Sequence, residues 1–188
     1  DLAQNINYNA CPFRLDRESF TYLGIVVTRS YKNLYEANFK KLLENTKLNL
    51  KRWSTLPISL AGRVNTVKMT VLPQFLYAFQ MIPLFLPISF FKDLNSHISS
   101  FIWNKSVPRA KRAILEMPKS VGGLALPNFM LYYWAANLSK LPYWITSFRT
   151  GESPTWVAME SETCPSFSPL PSLCTSFSKK SNFSSSNP

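Results

Sequence analysis

The sequence predicts a mainly α-helical fold with a short β element near its N-terminus. Three observations carry this. From Leu34 onward, apolar residues recur three and four positions apart, the period of one helix face. A single β-branched and aromatic run, Thr21 to Thr28, precedes them. Hydrophobic residues make up 46% of the 188 positions and aromatic ones 14%, which supplies a sizeable core and excludes a disordered basic tail.

Thr21 to Thr28 is nearly continuous in apolar side chains, so it reads as one strand buried on both faces. From Leu34 to Trp53 the period turns helical: Tyr35, Phe39, Leu42, Thr46, Leu50 and Trp53 form one stripe, and Lys40, Glu44, Lys47 and Lys51 line another. Leu56-Pro57 ends that helix, because the residue before proline is pushed out of the α region. Ser59 is placed to cap a second helix toward Leu72, with Leu60, Val64, Val67 and Val71 as its buried stripe. Ser59, Arg63, Thr66 and Thr70 make its polar face, and Pro73 is expected to kink or break it. A further apolar helix spans Gln74 to Met81. Pro87 and Ser89 suit the start of a third long helix, with Phe91, Leu94, Ile98 and Phe101 on one side.

Ala113-Ile114-Leu115 and Leu124-Ala125-Leu126 flank Gly122-Gly123, which suggests a small hairpin near residues 113–126. Asn128 is placed to cap a last helix from Phe129 to about Phe148. Residues 151–188 hold eleven Ser and five Pro without a sustained period and read as loop, disordered tail or the edge of a larger domain. The chain opens on Asp1 with neither a basic nor an apolar leader, so no signal peptide is expected and the chain reads as a piece of a longer polypeptide.

Met69 to Phe91 carries no formal charge over 23 residues, a length that could cross a bilayer. Pro73, Pro83 and Pro87, with Gln74 and Gln80, argue against a span, since lipid satisfies none of the backbone groups that proline frees. No membrane association is expected.

The formal net charge is +11. Between Gly24 and Arg112 stand fourteen basic residues: Arg29, Lys32, Lys40, Lys41, Lys47, Lys51, Arg52, Arg63, Lys68, Lys92, Lys105, Arg109, Lys111 and Arg112. Only Glu36, Glu44 and Asp93 oppose them, and the rest of the chain sums to zero. Two uses are open: a solvated lysine-rich face, or contact with a phosphate backbone, where each neutralised phosphate releases counterions. The segregation of the whole excess favours the second. Gly62-Arg63 adds to it. A glycine early in a helix costs about 1 kcal/mol against alanine, so it implies either close helix packing or the approach of a foreign backbone, with the Arg63 fork beside it.

Catalytic residue types are scarce. Cys11, Cys164 and Cys174 form no close pair, which disfavours a disulfide framework or a thiolate zinc site. His97 is the single histidine and reads as structural, with Asp93 the one acid near it. No clustered carboxylates are present to hold a metal pair, so no metal site is assigned.

The ordered segments together carry a resemblance. Phe20-Thr21-Tyr22-Leu23-Gly24-Ile25, Trp53-Ser54-Thr55-Leu56-Pro57-Ile58-Ser59-Leu60-Ala61-Gly62-Arg63-Val64, Val67-Lys68-Met69 and Leu72-Pro73 come first. Phe101-Ile102-Trp103, Pro108-Arg109, Gly122-Gly123-Leu124-Ala125-Leu126-Pro127-Asn128 and Tyr132-Tyr133-Trp134-Ala135-Ala136 follow in the same order. This succession resembles the reverse transcriptases, RNA-directed DNA polymerases, of long-interspersed-element (non-LTR) retrotransposons. The resemblance implies that residues 1–30 end the palm, with Tyr22, Leu23 and Gly24 at a primer-grip-like position. It implies a thumb-like bundle over 31–86, a wrist-like helical region over 87–150, and a tail over 151–188.

It further implies contact with nucleic acid at Gly62, Arg63, Thr66 and Lys68, supported by Lys40, Lys47 and Lys51. The implied partners are RNA, an RNA–DNA hybrid or a DNA template–primer, together with an upstream palm and fingers, in an intracellular setting. The family's aromatic-Ala-Asp-Asp motif is not in this sequence, so no catalytic residue is carried over. Mg²⁺ is expected only with those palm aspartates, and no cofactor in this chain. The competing class is a helical protein–protein or membrane-associated module, suggested by the aromatic surplus around Phe75 to Phe91 and Tyr132 to Trp144.

Overall fold

In the computed structural model, which describes residues 18–104, 106–152 and 154–163, the run expected as one strand is a hairpin. Strand β1 (Ser19–Tyr22) pairs antiparallel with β2 (Ile25–Thr28), Tyr22 opposite Ile25 and Ser19 opposite Thr28. Leu23 and Gly24 make the turn with φ of 48° and 81°. Two successive left-handed residues match the twist of the flanking strands; glycine adopts that conformation freely, leucine at a strain. The strands are not buried on both faces: Phe20, Tyr22 and Leu23 are each more than half exposed.

The helices follow the expected periods closely. Helix α1 (Tyr31–Leu34) runs through a π-helical segment, Tyr35–Lys40, into α2 (Lys41–Trp53). Phe39, Leu43, Thr46 and Leu50 are buried, while Lys40, Lys41, Glu44, Lys51 and Arg52 face solvent. The Thr46 hydroxyl donates to the Leu42 carbonyl at 2.8 Å, which satisfies a polar group on the apolar stripe. Within the π segment, Asn38 clips the hairpin in place. Its Oδ1 accepts from the Val26 amide at 2.9 Å and its Nδ2 donates to the Val26 carbonyl at 2.8 Å. One side-chain amide thus replaces a neighbouring strand at the outer edge of β2.

Ser59 caps α3 (Leu60–Thr66), its Oγ accepting from the Gly62 amide at 3.2 Å. A second π-helical segment, Val67–Val71, leads into α4 (Leu72–Met81) without a break. Pro73 was expected to kink or end this helix. The widened turn just before it absorbs the clash of its ring with the preceding turn. Of the expected stripe, Val64, Val67 and Val71 are buried, but Leu60, in the first turn, is 39% exposed.

From Ile82 to Pro87 the chain is extended, with Ile82, Leu84 and Leu86 inward and Pro83, Phe85 and Pro87 outward. The buried Tyr133 hydroxyl stands in for a partner strand: it donates to the Leu84 carbonyl at 3.1 Å and accepts from the Leu86 amide at 3.3 Å. Helix α5 (Ile88–Ile102) then buries Phe90, Phe91, Leu94, Ile98, Phe101 and Ile102.

The hairpin expected near 113–126 is absent. Ala113 to Leu115 lie in α6 (Arg112–Glu116), followed by a 3₁₀ turn, Lys119–Val121. The Leu124 and Leu126 amides both donate to the Leu115 carbonyl, at 3.2 and 2.8 Å, so the chain folds back on a helix end. Gly123 is required there, because a Cβ would overlap the Met117 carbonyl. Asn128 does cap α7 (Phe129–Leu138), accepting from the Leu131 amide at 3.3 Å. The expected continuation to Phe148 is interrupted at Ser139 and Lys140, and α8 (Leu141–Thr150) restarts with Pro142 in its first turn, where no amide hydrogen is needed. Thr155–Thr163, expected as irregular, forms helix α9.

Two compact units divide the chain, one ending at Ala136 and one beginning at Asn137. The interior of the first is aromatic. Phe39 and Phe79 stack at 6.2 Å, Phe75 meets Phe129 edge-on at 5.6 Å, and Phe79 meets Tyr133 at 5.4 Å. The surplus around Phe75 to Phe91 therefore supplies this core. In the second unit, Trp156 packs on Tyr143 and Trp144 at 5.9 and 6.4 Å. Among the described residues, no helix is long and apolar enough to cross a membrane. The expectations for residues 1–17 and for the tail beyond residue 163, with all three cysteines, lie outside the described residues.

Candidate nucleic-acid interface

The residues singled out from the sequence do not share one setting. Lys40 and Lys51 stand on the outer face of the π segment and α2, together with Lys41 and Arg52. Lys40 forms an exposed ion pair with Glu36 at 3.3 Å, four residues back; such a pair is easily exchanged for a phosphate. Lys41, Lys51 and Arg52 have no acidic partner among the described residues. Lys68 is half-buried on the second helical run, also without an ion pair among the described residues.

Arg63 is elsewhere. The period placed it on a polar, outward face; the structure buries it to 5% exposure. Its Nη1 donates to the Phe101 carbonyl at 2.9 Å and its Nη2 to the Ser54 and Leu56 carbonyls at 3.3 and 3.4 Å. Nε donates to the Ile58 carbonyl at 3.2 Å, and the guanidinium carbon lies 5.1 Å from the centre of the Phe101 ring. The carbonyls of Ser54 and Phe101 belong to the C-terminal ends of α2 and α5. Those ends carry partial negative charge and lack intrahelical partners. Arg63 thus neutralises two helix ends and ties the α2–α3 connection to α5, and its nitrogens are turned inward, away from any phosphate outside.

Gly62 and Thr66 take local roles as well. A Cβ on Gly62 would stand 2.5 Å from Ile58 Cγ2 and 3.3 Å from Ser59 Oγ. Within the chain, the close approach that favours glycine is made by the cap itself, not by another helix. The Thr66 hydroxyl donates to the Gly62 carbonyl at 3.0 Å, and Thr70 to the Thr66 carbonyl at 2.5 Å. Each hydroxyl has one proton, so neither has a second to offer a phosphate.

Tyr22, Leu23 and Gly24 form the tip of the hairpin. Leu23 is two-thirds exposed, and its carbonyl accepts from the Tyr77 hydroxyl of α4 at 2.5 Å.

Lys47 is engaged across helices. It reaches Asp93 of α5 at 2.8 Å, and His97 lies 3.2 Å from the other Asp93 oxygen. The hydrogen bond from Lys47 holds the Asp93 carboxyl below its ordinary range, with smaller help from His97. A depressed carboxyl stabilises the folded state above the unfolded-state pKa, and that contribution disappears as pH falls through the folded-state value. Asp93→Asn is therefore expected to lower stability by about 0.5–1 kcal/mol near neutral pH, the scale of a partly exposed pair. The difference should shrink as pH falls below the ordinary carboxylate range; urea midpoints of both proteins at pH 7 and pH 3 check this.

One further feature was not singled out from the sequence. A pocket of about 450 Å³ opens between the end of α5 and α6. Trp103, Arg109, Lys111 and Arg112 line it, over a floor of Ile102, Leu115 and Leu126. The basic residues are visible in the charge count, but their convergence with Trp103 depends on the fold-back after α6, where the sequence suggests a hairpin. Among the described residues, no three His, Cys, Asp or Glu side chains cluster to hold a metal ion. No family model matches the chain.

Proposed function

We propose that the chain is the nucleic-acid-holding, thumb-like portion of a non-LTR retrotransposon reverse transcriptase. It grips the phosphate backbone of a template–primer duplex without reading sequence. The observation that carries this reading is the segregation of the whole +11 between Gly24 and Arg112, with Lys41, Lys51 and Arg52 exposed on one helix and without an acidic partner among the described residues. The grip runs through the α2 face, with Lys40 and Lys68 in support, while Arg63 shapes the scaffold beneath it. Chemistry is left to the palm aspartates of such polymerases, and no step runs through a metal held by this chain.

The triple variant Lys41→Gln/Lys51→Gln/Arg52→Gln tests the reading. Each position is exposed, so the fold is preserved. The slope of log affinity against log salt for an RNA–DNA hybrid should fall by about 0.9 per lost phosphate contact, hence by roughly 2–3 in all. The loss should be equal for hybrids of unrelated sequence. A filter-binding series with an unchanged slope would refute it.

A further inference from the structure

The pocket beside Trp103 has a chemistry of its own. Arg112 is fixed: it pairs with Glu116 at 2.6 Å, and Glu116 is held in turn by Asn128 at 3.2 Å. Arg109 and Lys111 are exposed and meet no acidic partner among the described residues. Among the described residues, the lining therefore presents two cations without an acidic partner and a third paired with Glu116. Trp103, at the C-terminal end of α5, is half-buried and adds an aromatic surface. The floor is aliphatic. Two unmatched cations beside an indole and an apolar floor call for a ligand with a compact anion joined to a flat, weakly polar ring. The volume lies in the range of small-ligand sites, about 300–1,000 Å³, too small for a duplex. A peptide carboxylate would answer the cations but leave the indole and floor bare.

We propose that this pocket binds a single nucleotide, its phosphate at Arg109 and Lys111 and its base against Trp103. Aromatic stacking tolerates any base, and guanidinium suits phosphate geometrically. The nucleotide is either free or an unpaired residue of a strand. The site is separate from the α2 face, so duplex binding there and nucleotide binding here fail independently.

The test uses the full chain and reads the Trp103 indole N–H resonance, assigned by its absence in Trp103→Phe. A nucleoside 5′-monophosphate and a short single-stranded oligonucleotide are titrated separately, with the unphosphorylated nucleoside and inorganic phosphate as controls. The expected result is a saturable shift with one or both nucleotide probes, the tighter one naming the source, and weaker responses to both controls. Arg109→Gln/Lys111→Gln, at exposed positions, should weaken nucleotide binding about tenfold, whereas Lys41→Gln/Lys51→Gln/Arg52→Gln should not change it. Inorganic phosphate or an acidic peptide binding as well as the nucleotide would overturn the proposal, as would an unmoved Trp103 resonance.

Discussion

Arg63→Ala is expected to destabilise the first unit by about 3–5 kcal/mol, the scale of emptying a buried, hydrogen-bonded charge site. The side chain serves four carbonyls, of Ser54, Leu56, Ile58 and Phe101. Without it the part-buried Ser54 and Ile58 carbonyls and the buried Phe101 carbonyl lose a charged donor, and two helix ends are left with no cation beside them. With a urea dependence of about 1–3 kcal/mol per molar for a small domain, the midpoint should drop by roughly 2 M. Arg63→Lys should recover less than half of the loss, because one ammonium cannot reach carbonyls arranged around a planar fork. An Arg63→Ala protein with an unchanged urea midpoint and weakened duplex binding would return the residue to the phosphate-binding role its sequence position implied.

Phe79→Ala should be comparably severe, about 3–5 kcal/mol. Phe79 is 2% exposed and touches Phe39, Phe75, Phe91 and Tyr133, so truncation opens a void at the centre of the aromatic interior. Each lost ring pair adds to the cavity term. Domains of this size have only about 5–15 kcal/mol of stability in total, so the melting temperature should fall by more than about 10 °C. Phe79→Leu fills most of the volume and should lose far less. A thermal melt showing equal midpoints for Phe79→Ala and Phe79→Leu would contradict this packing.

The contrast between these residues shows what the sequence could and could not convey. The stripes through Phe39, Leu50, Val64, Leu94 and Ile98 were legible because burial imposes the helical period directly. Arg63 obeyed the same period as Ser59, Thr66 and Thr70, and so read as solvent-facing. Its burial depends on Phe101, 38 residues away, and on carbonyls, which every residue has and no sequence displays. The turn at Leu23 was hidden because leucine there keeps the apolar run unbroken; Gly24 was its sole local signal. Pro142, in the first turn of α8, is the local signal of the break after α7, and the sustained aromatic pattern from Tyr132 to Trp144 obscures it. Of the candidate interface, the lysine face followed from charge counting alone. The pocket did not, because its walls come from α5, the following connection and the fold-back after α6.

The hairpin has a consequence for timing. Its anchors are Asn38, in the π segment, and Tyr77, in α4. β1 and β2 precede both in the chain, and a lone two-stranded hairpin has little stability in water. During synthesis from the N-terminus, its strands emerge before either group that fixes them, and Leu23 gains its hydroxyl partner only after α4 has followed α3. The hairpin tip therefore settles late, and its final position registers that two separate helical runs have already come together.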